Sequence, residues 1–329
     1  MASGLVSTII PVYNRPQRVA QAVASVLAQT YRPIEILLVD DGSTDDTPAV
    51  LARFAAEHPN EIRVIRQANA GAGAARETGR LAARGDFIQY LDSDDFLLPN
   101  KFSDQVAALE ANPHCAIAYG TSSHRREDGT VLEEPSRRTA EQIDRLFPLL
   151  LVERWWHTHT PLFRRWISDA AGAWPAFRPE DWDLEARMGA MRPQLVHCGS
   201  LVSVQVDHDS PERVTRGPEL QYLRDEAVFL PRLHACAVLA GVSPDSPEMA
   251  HFAHWCFLRA RQLDAFGDAD LGDALLRLAA MAWRDPGPKP HTYGVLRQLI
   301  GPRSAGRLSA LYRPRPSQAA PAEAQPPHH

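Results

Sequence analysis

The chain is short of the features that mark several large protein classes. It has four cysteines in 329 residues, Cys115, Cys198, Cys236 and Cys256, far apart and with no CxxC pair. That spacing excludes a zinc ribbon or a disulfide framework and suits reduced core thiols of a cytosolic protein. No window approaches the roughly 18 apolar residues that a membrane span needs. The opening MASGLVSTIIPVYN has no basic start and its apolar run breaks at Pro11, so no secretory leader is expected. An excess of basic charge is also missing. Lys and Arg number 35 against 40 Asp and Glu, for a net charge of -5, and a nucleic-acid partner would need a basic face. What is present is ordinary for a globular protein, 44% hydrophobic and 23% charged. The length allows one large domain and a smaller one. A cytoplasmic protein is expected, with a peripheral place at the inner face of the membrane left open, as is the oligomeric state.

The first 120 or so residues alternate brief β-rich runs (Leu5–Ile10, Ile34–Val39, Ile62–Ile65, Phe87–Leu91, Ala116–Tyr119) with helical patterns (Arg15–Gln29, Asp45–Glu57, Gly73–Arg84, Pro99–Asn112). Val19, Ala22, Val23, Val26 and Leu27 form one apolar stripe. Ser43 or Asp45 is placed to open the second helix and Gly85 to close the third. This rhythm predicts an α/β fold, a doubly wound and mostly parallel sheet with helices on both faces. Ser122–Arg138 reads as an exposed hairpin or loop, Arg164–Ala171 and Asp183–Ala190 as helices, and Leu195–Val206 as one or two strands. From Glu219 the pattern is helical (Gln221–Ala240, Glu248–Phe266, Ala269–Trp283, Thr292–Ile300), with a helix–turn–helix pair resembling one tetratricopeptide-like unit. Arg313–His329 reads as a disordered tail. The division expected is 1–217, with halves near 5–120 and 121–217, then a helical region 218–312 and the tail 313–329.

In such sheets ligands bind beyond the carboxyl ends of the strands, and those ends carry the polar residues. Pro11-Val12-Tyr13-Asn14-Arg15 follows the first strand, Asp40-Asp41-Gly42-Ser43 the second, and Asn69-Ala70-Gly71 the third, leading into a helix with Arg76. Asp92-Ser93-Asp94-Asp95 follows the fourth. Together they suit a nucleotide diphosphate. Tyr13 offers a ring face to a base, and Asp40 an acceptor to a base N–H. Gly71 and Gly73 allow close backbone approach, and Arg76 can donate to a base carbonyl or a phosphate. Asp92 and Asp94 are hard ligands for Mg²⁺ or Mn²⁺, which bind through one or two carboxylates plus substrate phosphates. Each has a plainer use: Asp41, Ser43, Asp45 and Asp95 as caps, Asn69 and Gly71 as turn formers.

The stretches VSTIIPVYNRP, LLVDDGSTDDT, NAGAGAARETG and GDFIQYLDSDD resemble glycosyltransferase family 2, and RPEDWDLEARM is similar to that family's later Glu-Asp motif. The resemblance spans roughly residues 5–215. It implies a GT-A fold, a nucleotide-sugar donor, a DXD metal site and inversion at the sugar carbon. It carries base recognition onto Asp40 and Arg76, donor binding onto Asp92, metal binding onto Asp94 and general-base duty onto Asp181. The donor set expected is then Pro11, Tyr13, Asn14, Asp40, Asn69, Gly71, Arg76, Asp92 and Ser93. His208, in VDHDSPERVT, is a second metal candidate, and Arg213 a phosphate contact. His157, His159 and Trp182 are candidate acceptor contacts, with a packed interior as the alternative for the histidines. Glu180-Asp181-Trp182-Asp183 would also serve as the acidic first turn of a helix. A QxxRW motif is absent, so a single-addition enzyme is expected, making polysaccharide or glycoconjugate with UDP or dTDP as carrier and a carbohydrate, lipid-linked or other hydroxyl acceptor. The alternatives are a non-catalytic nucleotide-sugar-binding protein and a sugar nucleotidyltransferase. The latter would show a Gly-rich, basic signature where PVYNRPQ stands. A receiver-type phosphoacceptor would also place paired aspartates at strand ends, but has no need of Tyr13 or Arg76.

Overall fold

The computed structural model describes residues 4–207, 219–283 and 288–311. Four parallel strands form the N-terminal half of the sheet: β1 (Val6–Val12), β2 (Ile34–Asp40), β3 (Ile62–Arg66) and β4 (Phe87–Tyr90). Both β1 and β2 are buried along their whole length, as parallel strands covered on two faces must be. Between them run α1 (Val19–Leu27), α2 (Thr47–Glu57) and α3 (Ala72–Ala82). The helix α1 buries Val19, Ala22, Val23 and Val26, the expected stripe, with Leu27 at its margin. It starts at Val19 rather than Arg15, because the backbone N–H groups of Asn14 and Arg15 donate to Ser43 and Thr47 across the strand ends.

After β4 come β5 (Phe96–Leu97), α4 (Lys101–Ala111), β6 (Cys115–Arg126), β7 (Val131–Glu133), β8 (Leu162–Arg164), α5 (Arg165–Ala171), α6 (Glu180–Ala190) and β9 (Gln194–Asp207). The sheet order is β3-β2-β1-β4-β8-β6-β9-β5, with β7 paired to β6 in the expected hairpin. The sheet is more mixed than the alternation suggested: β8 is antiparallel to both neighbours and β5 to β9, while β6 and β9 are parallel. Three-residue β8 was too short to show a period. The third helix ends at Ala82, so Gly85 does not close it. Gly85 instead permits a close approach, since a Cβ there would lie 2.5 Å from the Leu5 carbonyl and 2.6 Å from Ser7 Oγ. The second helix has Asp46 at its cap position without a side-chain cap bond, and Asp45 Oδ1 accepts from the Thr47 N–H.

The helical region comprises α7 (Glu219–Leu239), α8 (Pro247–Phe266), α9 (Ala269–Ala282), α10 (Pro288–Ile300) and α11 (Pro302–Leu311). Gly267, left-handed at φ 94°, makes the expected turn between α8 and α9. The last helix was not expected. Gly306 lets it press on α8, where a Cβ would meet Ala265 N at 2.3 Å. One apolar core runs without a break from Ile9, Leu37 and Ile88 through Trp156 and Leu184 to Phe229, Phe252 and Leu275, so these helices share a core with the sheet. A second core lies under α1 and α4 on the other face. The four cysteines are free, three buried and Cys198 half-buried. No helix among the described residues is long and apolar enough to cross a membrane. The boundary at 217, His208, Arg213 and the tail 313–329 lie outside the described residues.

At the end of the sheet opposite the loops of interest, Glu35 is a buried carboxylate inside an apolar strand. Its Oε1 accepts from Ser7 Oγ at 2.6 Å and the Arg84 N–H at 2.6 Å, and its Oε2 from Arg84 Nε at 3.1 Å. Burial alone would raise its pKa, but these bonds hold it below the usual carboxylate value. Glu35→Gln puts an amide donor among donors and should cost about 1.5–3 kcal/mol, read by urea unfolding at neutral pH. Because the folded-state pKa is the lower one, this stabilisation is present above the unfolded value of about 4.3 and is lost as pH falls through the folded value. The difference between variant and wild type should therefore shrink in acid.

Candidate active site

The loops at the carboxyl ends of β1 to β4 are tied to one another. Asn14, left-handed at φ 49°, accepts from the Thr44 N–H at 2.9 Å. Asp41, read from sequence as a cap, holds the third loop: its carboxylate accepts from Gln67 Nε2 and the N–H groups of Ala70 and Gly71 at 2.7–2.9 Å. Gly42 makes this fit possible, since a Cβ would stand 2.7 Å from Asn69 N. Asn69 and Gly71 are left exposed on the held loop, and Tyr13 is 45% exposed beside Pro11, which is buried. Asp40 is 1% exposed. Its Oδ1 accepts from the Ser43 N–H at 2.9 Å, while Oδ2 has no hydrogen bond and sits 3.3 Å from Arg66 Nε. Oδ2 thus has an ion pair but no hydrogen bond, and keeps acceptor capacity for a donor N–H.

The Asp92-to-Asp95 turn meets two arginines. Arg15 pairs with Asp94. Arg76, 4% exposed, donates from Nη2 to Asp92 Oδ1 at 2.5 Å and from Nη1 to Glu180 Oε1 at 2.8 Å, with its guanidinium 4.8 Å from the Trp174 ring. Burial works against its charge, but Asp92 and Glu180 outweigh that and raise its pKa above the ordinary arginine value. Both terminal nitrogens thus meet carboxylates, so that Arg76 bridges two acidic motifs 88 residues apart (180 minus 92), while its buried Nε–H has no hydrogen-bond partner. Gly73, one turn earlier on α3, admits the segment before α6, where a Cβ would lie 2.3 Å from the Pro175 carbonyl. Burial pushes the Glu180 carboxyl up, against the pull of Arg76.

Asp181 sits in the first turn of α6, with a side chain 22% exposed. Its Oδ2 pairs with Arg154 and accepts from Thr158 Oγ1 at 3.0 Å; its Oδ1 accepts from the Trp182 N–H at 2.8 Å. Burial would raise its pKa, yet Arg154 and then Arg76 bring it below the ordinary value. Arg154 also grips Glu185, at 2.6 and 3.0 Å, and Trp156 Nε1 donates to the same carboxylate at 3.0 Å. Asp183 is different. It is 1% exposed and held by Arg187 of its own helix and Arg232 of α7, which makes it a fastener between α6 and the C-terminal helices. Sequence reasoning missed Arg154 and Glu185. The one available signal was the Asp181/Glu185 spacing, which puts two carboxylates on one helix face and calls for a cation.

The acceptor candidates separate. His159 is fully buried, so it is not a surface contact; its Nδ1 lies 2.9 Å from Asp95 Oδ2. Asp95 is no cap either, since its Oδ1 accepts from the Val206 N–H at 2.8 Å and ties the acidic turn to β9. His157 stacks on His159, with its Nε2 3.0 Å from Ser136 Oγ. Burial, then the neighbouring His159, push its pKa well down and keep the ring neutral. Fully buried Lys101, its pKa lowered by burial to about 7, donates to the Thr160 carbonyl at 2.8 Å and fixes the same segment. Trp182 turns its indole towards Phe229 and Trp255. Ser93 is buried beside half-buried Asp92 and Asp94. Among the described residues no group of three or more His, Cys, Asp or Glu is arranged for a metal. Two hard carboxylates at one strand end nevertheless match what Mg²⁺ or Mn²⁺ takes when phosphates complete its shell.

A family model described as Glycosyl transferase family 2 matches residues 7–168. The chain is 34% identical over 177 residues to the uncharacterized glycosyltransferase EpsJ of Bacillus subtilis, covering 51% of this chain and 50% of that one. It is 40% identical over 128 residues to glycosyltransferase GlyG of Streptococcus pneumoniae (39% and 42% covered). To chondroitin synthase of Escherichia coli it is 38% identical over 128 residues (39% and 18% covered). The matched stretch thus spans about half or less of these relatives. Among solved structures, residues 1–349 of S. aureus TarS in complex with UDP superpose with a TM-score of 0.67 at 17% identity, covering 95% of this chain and 93% of that one. The mannosyltransferase PcManGT of Pyrobaculum calidifontis, in complex with GDP-Man and Mn²⁺, gives 0.50 at 18%, covering 95% and 88%. At such identities the likeness is one of fold.

The bridging position of Arg76 makes a measurable difference. Arg76→Met strands two partly buried carboxylates and should cost about 3–5 kcal/mol in urea unfolding without ligand. A direct base contact would instead lower nucleotide affinity and leave ligand-free stability near wild type.

Proposed function

The chain, through residues 7–168, belongs to glycosyltransferase family 2, and from that premise we propose that it transfers a sugar from a nucleotide diphosphate to a hydroxyl acceptor, with inversion and a single addition. The observation that carries the reading is the buried Arg76, which brings Asp92 of one motif and Glu180-Asp181 of the other to the two ends of one guanidinium. A donor site and a proton acceptor are thereby held side by side. The binding of UDP and UDP-GlcNAc by TarS supports the donor class. The enzyme works in the cytoplasm in this reading.

Asp40 Oδ2 accepts the N3–H of uracil or thymine, and Tyr13 covers the ring. Pro11, Asn14, Asn69, Gly71 and Ser93 line the donor path. Asp92 and Asp94 are the residues that would hold Mg²⁺ or Mn²⁺, with His208 a further candidate. When bound, such an ion offsets the charge on the departing diphosphate. The acceptor hydroxyl oxygen bonds to the anomeric carbon as the carbon–oxygen bond to the diphosphate breaks, and the hydroxyl proton passes to Asp181. An aspartate with a depressed pKa is a weak base towards an alcohol, so proton transfer accompanies bond formation rather than preceding it. Arg154 and Thr158 hold Asp181 in place for this transfer.

Calorimetry should show UDP or dTDP binding more tightly than CDP or ADP, because cytosine lacks the N3–H and a purine needs a larger slot. The reverse order would overturn the base assignment. Asp94→Asn should remove much of the Mn²⁺ dependence of donor binding. Asp181→Asn should leave donor affinity nearly unchanged and slow transfer by about 10²-fold or more. Transfer by that variant at the wild-type rate would move the base to Glu180, since Asp183 is consumed by Arg187 and Arg232.

The pH profile gives an independent check. Arg154 keeps Asp181 ionised below the ordinary range, so wild type should show no acid limb from this group above about pH 4. Removing Arg154 raises that pKa and should move the limb upward. Arg154→Met combined with Glu185→Gln avoids stranding Glu185 and is the variant to titrate. An unmoved limb would show that Arg154 does not tune the base.

A further inference from the structure

A cavity of about 250 Å³ lies where the segment after the 3₁₀ turn Leu149–Leu151, α6 and α8 meet, away from the strand ends. Its lining is Val152, Trp182, His251, His254, Trp255 and Leu258. Four of these six come from α8 at positions i, i+3, i+4 and i+7, which is one face of a helix. His251, His254 and Leu258 are exposed there, and the indoles are half-buried. The rings of Trp182 and Trp255 lie 5.2 Å apart, tilted by 33°, and rest on Phe229. The Trp182 indole N–H is already engaged, donating to the Leu150 carbonyl at 3.1 Å, and the Trp255 indole acts on the Glu226 carboxyl to lower its pKa against the rise that burial causes. What the tryptophans offer a ligand is ring face.

The lining limits the occupant. No Lys, Arg, Asp or Glu is among these residues, so a nucleotide diphosphate would be desolvated there without compensation. A wholly apolar ligand would leave two imidazoles facing it. A neutral sugar ring meets both conditions: its C–H face packs on an indole, and its hydroxyls exchange hydrogen bonds with imidazole nitrogens, which donate or accept according to tautomer. The lining is joined through the chain to the proposed base. Trp182 follows Asp181 directly and donates its backbone N–H to it, and Val152 stands two residues before Arg154, which pairs with Asp181.

We propose that this cavity is a subsite for a neutral sugar residue of the acceptor, removed from the hydroxyl that reacts. The proposal rests on the reading of Asp181 as the base towards an acceptor. It gives the C-terminal helices a share in acceptor choice, because α8 supplies the imidazoles and one of the two indoles.

The test uses the full chain on an array of neutral oligosaccharides, beside thermal shift with UDP and Mn²⁺. His251→Ala combined with His254→Ala removes two exposed side chains of the lining, and Leu258→Trp fills the cavity from its open side. Wild type and Asp181→Asn should both retain an oligosaccharide. Each cavity variant should weaken that binding at least tenfold while its shift with UDP stays at the wild-type value. Retention of no oligosaccharide by wild type, or equal retention by both cavity variants, would overturn the proposal. Oligosaccharide binding that depends on the cavity in a chain that UDP fails to stabilise would support the subsite and sink the donor reading instead.

Discussion

The pairing of Arg76 with Asp92 and Glu180 is the constraint on which the rest of the site depends. A guanidinium taken out of water needs its charge answered, and the two carboxylates that answer it come from different halves of the chain. Gly73 provides the room on α3, and Trp174 covers the open face of the guanidinium. Without that cation, Asp92 and Glu180-Asp181 would repel one another across a poorly hydrated gap. With it, the acidic turn after β4 and the first turn of α6 are held at a set separation before any ligand arrives. Preorganisation of this kind is what makes electrostatic catalysis effective.

A second arginine repeats the device one layer further in. Arg154 answers Asp181 and Glu185 together, so the carboxylate proposed as the base is itself fixed on both sides. The consequence is chemical as well as mechanical. Neighbouring cations depress the Asp181 pKa while burial lifts that of Glu180, so adjacent carboxylates are pushed apart in acidity and toward different roles. Arg232 extends the scheme by joining Asp183 to α7. The helix carrying the proposed base is thus anchored from three sides, by α3, by the segment before β8 and by the C-terminal helices.

That anchoring explains why the C-terminal helices share a core with the sheet. Trp182 packs on Phe229 and Trp255, and Leu184 belongs to the same apolar cluster as Phe252 and Leu275. These helices cover one face of α6 and brace its first turn. The opposite end of the sheet is braced by polar means, through Glu35, Ser7 and the tight Gly85 turn. The strand-end loops therefore stand on a rigid base, from which side chains such as Tyr13 reach solvent.

Much of the fold was legible in the chain itself, because period and burial are local properties. The all-buried β1 and β2, the stripe on α1 and the α8–α9 turn at Gly267 were readable as spacing. So were the acidic turns, since strand ends and motif order place them. Strand β8, three residues long and antiparallel, carried too little pattern to read, and Gly85 looked like a helix stop when close approach to Leu5 and Ser7 was its use. The site residues divide the same way. Sequence alone put Asp40, Asp92, Asp94 and Asp181 among the candidates, but only the tertiary structure decided what Arg76 and Arg154 touch. A long cationic side chain reaches several ångströms in any direction, and its partner is chosen by whichever carboxylate the fold buries beside it, here 104 residues away for Arg76 and 27 for Arg154. Local spacing carries no information at that range.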